Sequence, residues 1–121
     1  LGMQLIANKG TEPNDCSGLN WIDGEVIKIK EPEKRVPHLG WNNIQINECE
    51  ILKDLDQKDF YFIHSYHFKI KNPNHIAAKV NYGQDYVAAI QHENIFATQF
   101  HPEKSQQAGL DLLTNFFSHY A

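Results

Sequence analysis

The stretch N-I-F-A-T-Q-F-H-P-E-K-S, residues 94–105, decides the fold because it leads from a strand into a helix. Its first seven residues are rich in apolar side chains, a pattern that indicates a strand. Pro102 disfavours helical backbone at His101 and fixes its own φ angle, so we expect an extended turn there. Ser105 is a candidate N-cap for the helix that follows. The stretch therefore predicts a strand, a turn and a helix, as in α/β domains.

The residues after Ser105 carry the clearest periodicity of the chain. Apolar side chains recur there at helical spacing, at Leu110, Leu113, Phe116, Phe117 and Tyr120. Such spacing predicts an amphipathic C-terminal helix whose apolar face packs on the rest of the domain.

Shorter apolar runs predict the other elements. We expect a helix over residues 1–8, a helical turn at 51–55, and strands at 25–30, 44–46, 60–64, 77–80, 86–90 and 94–100. The run 60–64 is almost continuously apolar and aromatic, which predicts a strand buried on both faces. Residues 36–43 contain Pro37 and Gly40 and show no clean period, so they are predicted to form a loop.

Composition excludes several classes of protein. The 121 residues have 41% hydrophobic and 21% charged side chains and a net charge of -4, with 2 Cys. This is the composition of one ordinary globular domain, 1–121, and not of a disordered chain, a coiled coil or a nucleic-acid-binding surface. Two cysteines form neither a disulfide framework nor a four-ligand zinc site. We expect a reduced, cytoplasmic protein that does not associate with a membrane.

The pair His101 and Glu103 carries the strongest chemical signal. Residues two apart in an extended segment face the same side, so the imidazole and the carboxylate can converge. A carboxylate that holds one imidazole tautomer prepares the ring to act as a general base for a nucleophile. Local spacing alone leaves open the alternative of a surface histidine beside a solvated glutamate.

The other histidines and the cysteines are less informative. His64 and His67 follow one strand on opposite faces and do not form a metal pair. His38 either satisfies a loop backbone or contacts a ligand. Cys16 lies in a polar loop without the strand and helix of a nucleophile elbow, and Cys49 stands between two glutamates that suppress thiolate formation. The residues themselves thus supply a base and its orienting group but no nucleophile.

Four segments together resemble a known family. They are L-G-M-Q-L (1–5), V-P-H-L-G-W-N (36–42), Y-F-I-H-S-Y (61–66) and Q-F-H-P-E-K-S (99–105). In this order they resemble the glutamine amidotransferase subunits of imidazole glycerol phosphate synthases, class I glutaminases with a Cys-His-Glu triad. The resemblance covers essentially the whole chain, but only the C-terminal part of the family's chain.

The resemblance implies roles for the catalytic residues. His101 would be the general base, Glu103 its orienting carboxylate, and the backbone N–H of Leu1 an oxyanion-hole donor. The family's elbow reads G-x-C-L-G-M-Q, so the sequence begins directly after the nucleophilic Cys. We therefore expect a fragment that is inactive alone and lacks the N-terminal strands of a flavodoxin-like, three-layer α/β fold.

The resemblance also implies a substrate, a partner and their contacts. The substrate glutamine would be held by Gln4, Glu12 and the backbone of Ser65 and Tyr66. A cyclase of (β/α)₈-barrel fold, which receives the ammonia as heterodimer partner, would face Trp41, Tyr61 and Lys104. No metal or organic cofactor is implied.

Two alternatives remain at this point. One is a related glutaminase that supplies ammonia for amidation of a surface-polysaccharide sugar, because residues 8–17 depart from the family's usual pattern. The other is a non-catalytic, glutaminase-like module that only binds a partner, because the nucleophilic Cys is absent from the sequence.

Overall fold

A computed structural model describes residues 2–7, 9–10, 16–31 and 34–120. The strands of the described residues are β1 (Lys9–Gly10), β2 (Cys16–Ser17), β3 (Gly24–Lys28), β4 (His38–Asn43), β5 (Gln45–Ile46), β6 (Asp59–His64), β7 (Tyr66–Ile70), β8 (Ile76–Tyr82), β9 (Gln84–His92) and β10 (Ile95–Thr98). The helices are α1 (Gly2–Leu5) and α2 (Gln106–Tyr120), and the 3₁₀ turns are Glu50–Leu52, Pro73–His75 and Pro102–Lys104. This mixture confirms the predicted α/β class, although α1 is shorter than the helix predicted over residues 1–8.

The strands form two four-stranded sheets and one two-stranded ribbon. The sheet orders are β2-β1-β3-β7 and β10-β9-β8-β5, and the ribbon pairs β4 with β6. Among the described pairs only β1 and β3 run parallel. Consecutive strands β8, β9 and β10 follow each other antiparallel, as expected for strands joined by short turns.

The segment predicted to be a loop, residues 36–43, contains strand β4, so that prediction is wrong. β4 pairs antiparallel with β6 over six residue pairs, from His38 opposite His64 to Asn43 opposite Asp59. Its alternation is hard to see in the sequence because the inward positions include His38 and Gly40 instead of large aliphatic residues. Gly40 has a φ of 124°, a backbone conformation that residues other than glycine rarely adopt.

Strand β6 is buried on one face only, which corrects the prediction of burial on both. Phe60, Phe62 and His64 are buried, whereas Ile63 between them is 45% exposed. Among the strands that the structure describes, β6 pairs with β4 alone. The ribbon therefore has an inner face that joins the core and an outer face of side chains that reach solvent.

Two apolar clusters form the core. The larger lies between the ribbon, β8, β9 and α2, and it includes Phe60, Phe62, Phe100 and Leu112. The smaller cluster lies beside α1 and contains Met3, Ile6, Val26, Phe68 and Ile90 among others. The turn of residues 99–105 leads directly from β10 to α2. Phe100 belongs to the larger cluster and Ala97 packs against the smaller one, so both clusters help to fix the position of the turn.

Helix α2 begins at Gln106 as predicted, but its buried face differs from the prediction. Leu112 and Gly109 are buried and Phe116 packs on the larger cluster. Leu110 and Phe117, predicted to be on the apolar face, are 60% and 68% exposed. No helix in the described part of the chain is long and apolar enough to cross a membrane.

Candidate active site

His101 and Glu103 converge at the turn between β10 and α2. His101 is extended, with φ of -102° and ψ of 98°, which confirms the effect predicted for the following proline. Its Nδ1 lies 2.5 Å from Glu103 Oε1. A carboxylate only accepts hydrogen bonds, so this contact places the ring proton on Nδ1 and leaves the lone pair of a neutral ring on Nε2. The arrangement is that of a general base with its orienting group.

The backbone of His101 is held from two sides by the ribbon and the turn. Its N–H donates to Tyr61 O at 2.9 Å. The Ser105 hydroxyl donates to His101 O at 2.6 Å and accepts from the Tyr61 N–H at 3.0 Å. Ser105 stands at the N-terminal boundary of α2 as predicted, but its buried hydroxyl bridges the ribbon to His101 and does not cap the helix.

Gly109 lets α2 pack closely on the same turn. A Cβ atom at Gly109 would lie 1.9 Å from Pro102 O, well inside van der Waals contact. Only glycine fits this position without moving the backbone of either the helix or the turn. The first turns of α2 and residues 101–105 are therefore one rigid unit that carries the His101 side chain.

A polar cavity of about 280 Å³ reaches this segment of the chain at Gln99, two residues before His101. Its lining residues are Gln4, Pro37, Ile63, His64, Ser65, Tyr66 and Gln99. Gln4 Nε2 donates to Tyr66 O at 3.2 Å and to Gln99 Oε1 at 3.1 Å. Three of the four residues predicted to bind substrate are thus brought together here, while Glu12 lies outside the described residues, as does Leu1, the predicted oxyanion-hole donor.

The three residues predicted to face a partner also meet in one patch. Trp41 and Tyr61 lie opposite each other in the ribbon and their rings pack edge to face, with centroids 5.8 Å apart. Lys104 Nζ is 5.9 Å from the centroid of the Tyr61 ring. Leu39 and Ile63 are paired on the same outer face and extend the patch, and both are exposed. We call these five residues the outer patch.

His38 does not satisfy loop backbone, contrary to one interpretation of the sequence, but pairs with His64. Their rings join through His38 Nδ1 and His64 Nε2 at 2.9 Å, and His64 Nδ1 lies 2.8 Å from Tyr66 O. Burial, assisted by the neighbouring His64, lowers the pKa of His38 to about 4. Burial also lowers the pKa of His64. Both rings are therefore neutral at pH 7.

The described residues place no cysteine thiol and no set of metal ligands at His101. Cys49 is buried and its thiol donates to Gln91 Oε1 at 3.0 Å, and burial raises the pKa of this thiol. The side chain of Cys16 is not among those described. Within the described ranges no group of three or more His, Cys, Asp or Glu side chains is arranged to hold a metal ion.

Comparison with protein families decides the assignment. The model of the family "Glutamine amidotransferase class-I" matches residues 1–120. The chain belongs to this family. The match includes the His101–Glu103 turn, the polar cavity and both faces of the ribbon, so all three parts of the candidate site belong to an amidotransferase domain.

Individual relatives support the family and its fold. The amidotransferase chain is 48% identical over 119 residues to imidazole glycerol phosphate synthase subunit HisH 1 of Campylobacter jejuni (strain RM1221). It is 42% identical over 121 residues to the HisH subunit of Azospirillum brasilense. Among solved structures, a putative GMP synthase subunit from Thermoplasma acidophilum matches 78% of this chain and 47% of its own, with a TM-score of 0.60 and 28% identity.

The alignments with these relatives include nearly all of the amidotransferase chain but only part of each relative. The two HisH alignments include 96% and 97% of this chain and 59% and 63% of the relative. The chain therefore spans about three fifths of the length of the curated relatives that it matches.

Some residues of the amidotransferase site were not predicted from the sequence. Gln99 is buried and its amide oxygen accepts the bond from Gln4. It stands two residues before His101 in an extended segment, and that spacing is a signal that would have identified it. The bridging role of Ser105 and the pairing of His38 with His64 had no such signal, because both depend on contacts between distant segments.

Proposed function

We propose that the complete gene product is the glutaminase subunit of an imidazole glycerol phosphate synthase, which hydrolyses glutamine to glutamate and ammonia in histidine biosynthesis. The observation that carries the proposal is the 2.5 Å contact between His101 Nδ1 and Glu103 Oε1. His101 Nε2 has no hydrogen-bond partner among the described residues, so it is available to a nucleophile. The HisH names of both relatives favour the histidine pathway over amidation of a polysaccharide sugar.

The proposed reaction is acyl transfer through a cysteine outside the described residues. His101 Nε2 takes the thiol proton as the thiolate attacks the carboxamide carbon of glutamine. The protonated ring then gives its proton to the departing nitrogen, and ammonia leaves a thioester. Water, activated by the same nitrogen, hydrolyses the thioester to glutamate and restores the thiol. Glu103 stabilises the imidazolium during each proton transfer.

The polar cavity is proposed to hold the glutamine. Gln4 and the backbone of Ser65 and Tyr66 would bind its polar groups, and Glu12 would face its α-amino group. The backbone N–H of Leu1 would donate to the oxyanion of the tetrahedral intermediate. Gln99 supports this cavity because it fixes the amide of Gln4.

The outer patch is proposed as the docking face for a cyclase partner of (β/α)₈-barrel fold. Exposed aromatic and aliphatic side chains flanked by a lysine have the composition of an interface core with a polar rim. Ile63 belongs to the patch and also lines the polar cavity, beside His64 of the inner face, so the patch and the cavity adjoin. This arrangement would let ammonia pass to the partner in a cytoplasmic heterodimer.

A glutamine analogue with a diazoketone in place of the carboxamide tests the proposal, because a catalytic thiolate becomes alkylated. We expect one adduct per complete gene product, on a cysteine other than Cys16 and Cys49, located by peptide mass mapping. Excess glutamine should slow the labelling. An adduct on Cys49 would contradict the assigned site, and a protein without any adduct would favour the non-catalytic binding module.

A further inference from the structure

The buried His38–His64 pair lies between the polar cavity and the apolar core that packs on the inner face of the ribbon. The two residues face each other across β4 and β6, and both are buried. His38 is also stacked between the rings of Phe62 and Tyr82, with centroid distances of 4.8 and 4.1 Å. These contacts on both faces prevent the His38 ring from tilting, so its nitrogens point in fixed directions.

The hydrogen bonds of this pair form a series that ends at Tyr66 O, and this last acceptor determines the direction of every bond in the series. Tyr66 O only accepts, so His64 Nδ1 carries a proton and donates to it. A neutral His64 then has its lone pair on Nε2, which accepts from His38 Nδ1. His38 Nε2 is left as the acceptor for Asn42 Nδ2 at 3.4 Å. One tautomer of each neutral ring satisfies the whole series, and neither ring has a nitrogen left for chemistry.

The series ends in the wall of the polar cavity. Tyr66 O, its final acceptor, also accepts from Gln4 Nε2, and Gln4 is tied in turn to Gln99. We infer that His64, fixed by His38, is a positioning residue that holds the Ser65–Tyr66 wall in the orientation that binds glutamine. This inference rests on the proposed function and adds to it a determinant of substrate affinity in the cavity wall.

Two substitutions of His64 separate positioning from simple packing. The amide nitrogen of asparagine can take the place of histidine Nδ1, whereas the longer glutamine places its amide near the position of Nε2. His64→Asn therefore keeps a donor for Tyr66 O, and His64→Gln removes it. Because the cavity wall binds substrate and transition state alike, the loss of one hydrogen bond there is expected in KM and not in kcat.

Steady-state glutaminase kinetics of the complete gene product, with its cyclase partner present, provide the test. We expect His64→Gln to raise KM for glutamine roughly tenfold, with kcat within about twofold of wild type. His64→Asn should return most of the lost affinity. His119→Gln, an exposed histidine of α2, is the matched control and should leave both constants unchanged. Active-site concentration is set by titration with the diazoketone analogue, so that partial unfolding does not alter kcat.

A second pair of variants covers the case in which His64 cannot be replaced. His38→Asn keeps the donor to His64 and should retain a KM near that of wild type, whereas His38→Gln should raise it severalfold. An unchanged KM in His64→Gln and His38→Gln, or equal KM values for the Asn and Gln variants, overturns the inference while the glutaminase assignment stands. A wild-type protein without glutaminase activity overturns the proposed function and the inference together.

Discussion

The His101–Glu103 pair and the His38–His64 pair differ in solvent exposure and in the number of ring nitrogens that are occupied. The His101 side chain is 36% exposed, and only its Nδ1 is bonded among the described residues. His38 is 3% exposed, with both nitrogens bonded and its pKa lowered to about 4 by burial and by His64. The first pair keeps one ring nitrogen free, as the proposed proton transfer requires, whereas every ring nitrogen of the second pair is bonded.

This difference suits the two histidine pairs to the opposite roles that are proposed for them. An imidazole becomes a base when one nitrogen is fixed and the other is left accessible. It becomes a neutral structural link when burial removes its charge and both nitrogens find partners. Three of the expected effects concern these two histidine pairs, and one concerns the outer patch beside them.

The largest effect is expected when the orienting carboxylate is removed. Glu103→Gln should lower the kcat of glutamine hydrolysis on the order of 10³-fold, because the amide no longer stabilises the imidazolium. KM should change little. Glu93→Gln is the matched control, since Glu93 lies 3.9 Å from the ring of His92 in an exposed histidine–glutamate pair away from the cavity. A Glu103→Gln enzyme that keeps most of its activity would contradict the catalytic role that distinguishes the His101–Glu103 pair from the His38–His64 pair.

Acid should destabilise the buried pair. The pKa of His38 in the folded protein, about 4, is below its ordinary value of 6.5, so the unfolded chain binds more protons between these values. Stability is therefore expected to fall as the pH drops from 6.5 towards 4, by up to about 3 kcal/mol from His38. Urea unfolding of the complete gene product and of its His38→Gln variant at several pH values measures how much His38 contributes to the pH dependence of the free energy of unfolding. Parallel pH profiles for the two proteins would contradict the assignment of a buried neutral His38.

The outer patch should affect association without altering either histidine pair. Trp41→Ala is expected to weaken cyclase binding by about 2 kcal/mol, roughly 30-fold in Kd, as is typical when a central interface tryptophan is removed. Phe117→Ala, which removes an aromatic side chain that is 68% exposed on α2, is the control. Calorimetric titration measures both. Equal affinities for wild type and Trp41→Ala would mean that the partner binds elsewhere.

The smallest effect is expected at the bridge between the ribbon and His101. Ser105→Ala removes the hydroxyl that donates to His101 O and accepts from the Tyr61 N–H. We expect kcat to fall roughly tenfold, since the loss of one hydrogen bond loosens His101 without removing it. Ser118→Ala, an exposed serine of α2, should leave kcat unchanged. A Ser105→Ala variant with wild-type kcat would show that Gly109 and the proline turn suffice to fix His101.

The sequence predicts the parts of this fold that depend on local patterns. Strands β8, β9 and β10 follow from apolar runs between short turns, and the extended His101 follows from Pro102. Its convergence with Glu103 follows from the spacing of two residues, which is why the sequence alone identifies the candidate base.

Features that depend on distant segments were missed. Strand β4 was not recognised because its inward residues are His38, Gly40 and Asn42, which interrupt the apolar alternation by which strands are detected. The His38 and His64 contact joins residues 26 positions apart, and no local pattern indicates it. The buried face of α2 was also misjudged, because Gly109 and not a large side chain marks the point of closest approach.

The rate of glutamate release from glutamine by the complete gene product with its cyclase partner tests the central claim most directly, when wild type is compared with His101→Ala. We expect measurable turnover in wild type and a loss of at least about 10³-fold in His101→Ala, with no comparable loss in His119→Ala. A His101→Ala protein that retains more than half of the wild-type rate would contradict the assignment of His101 as the general base.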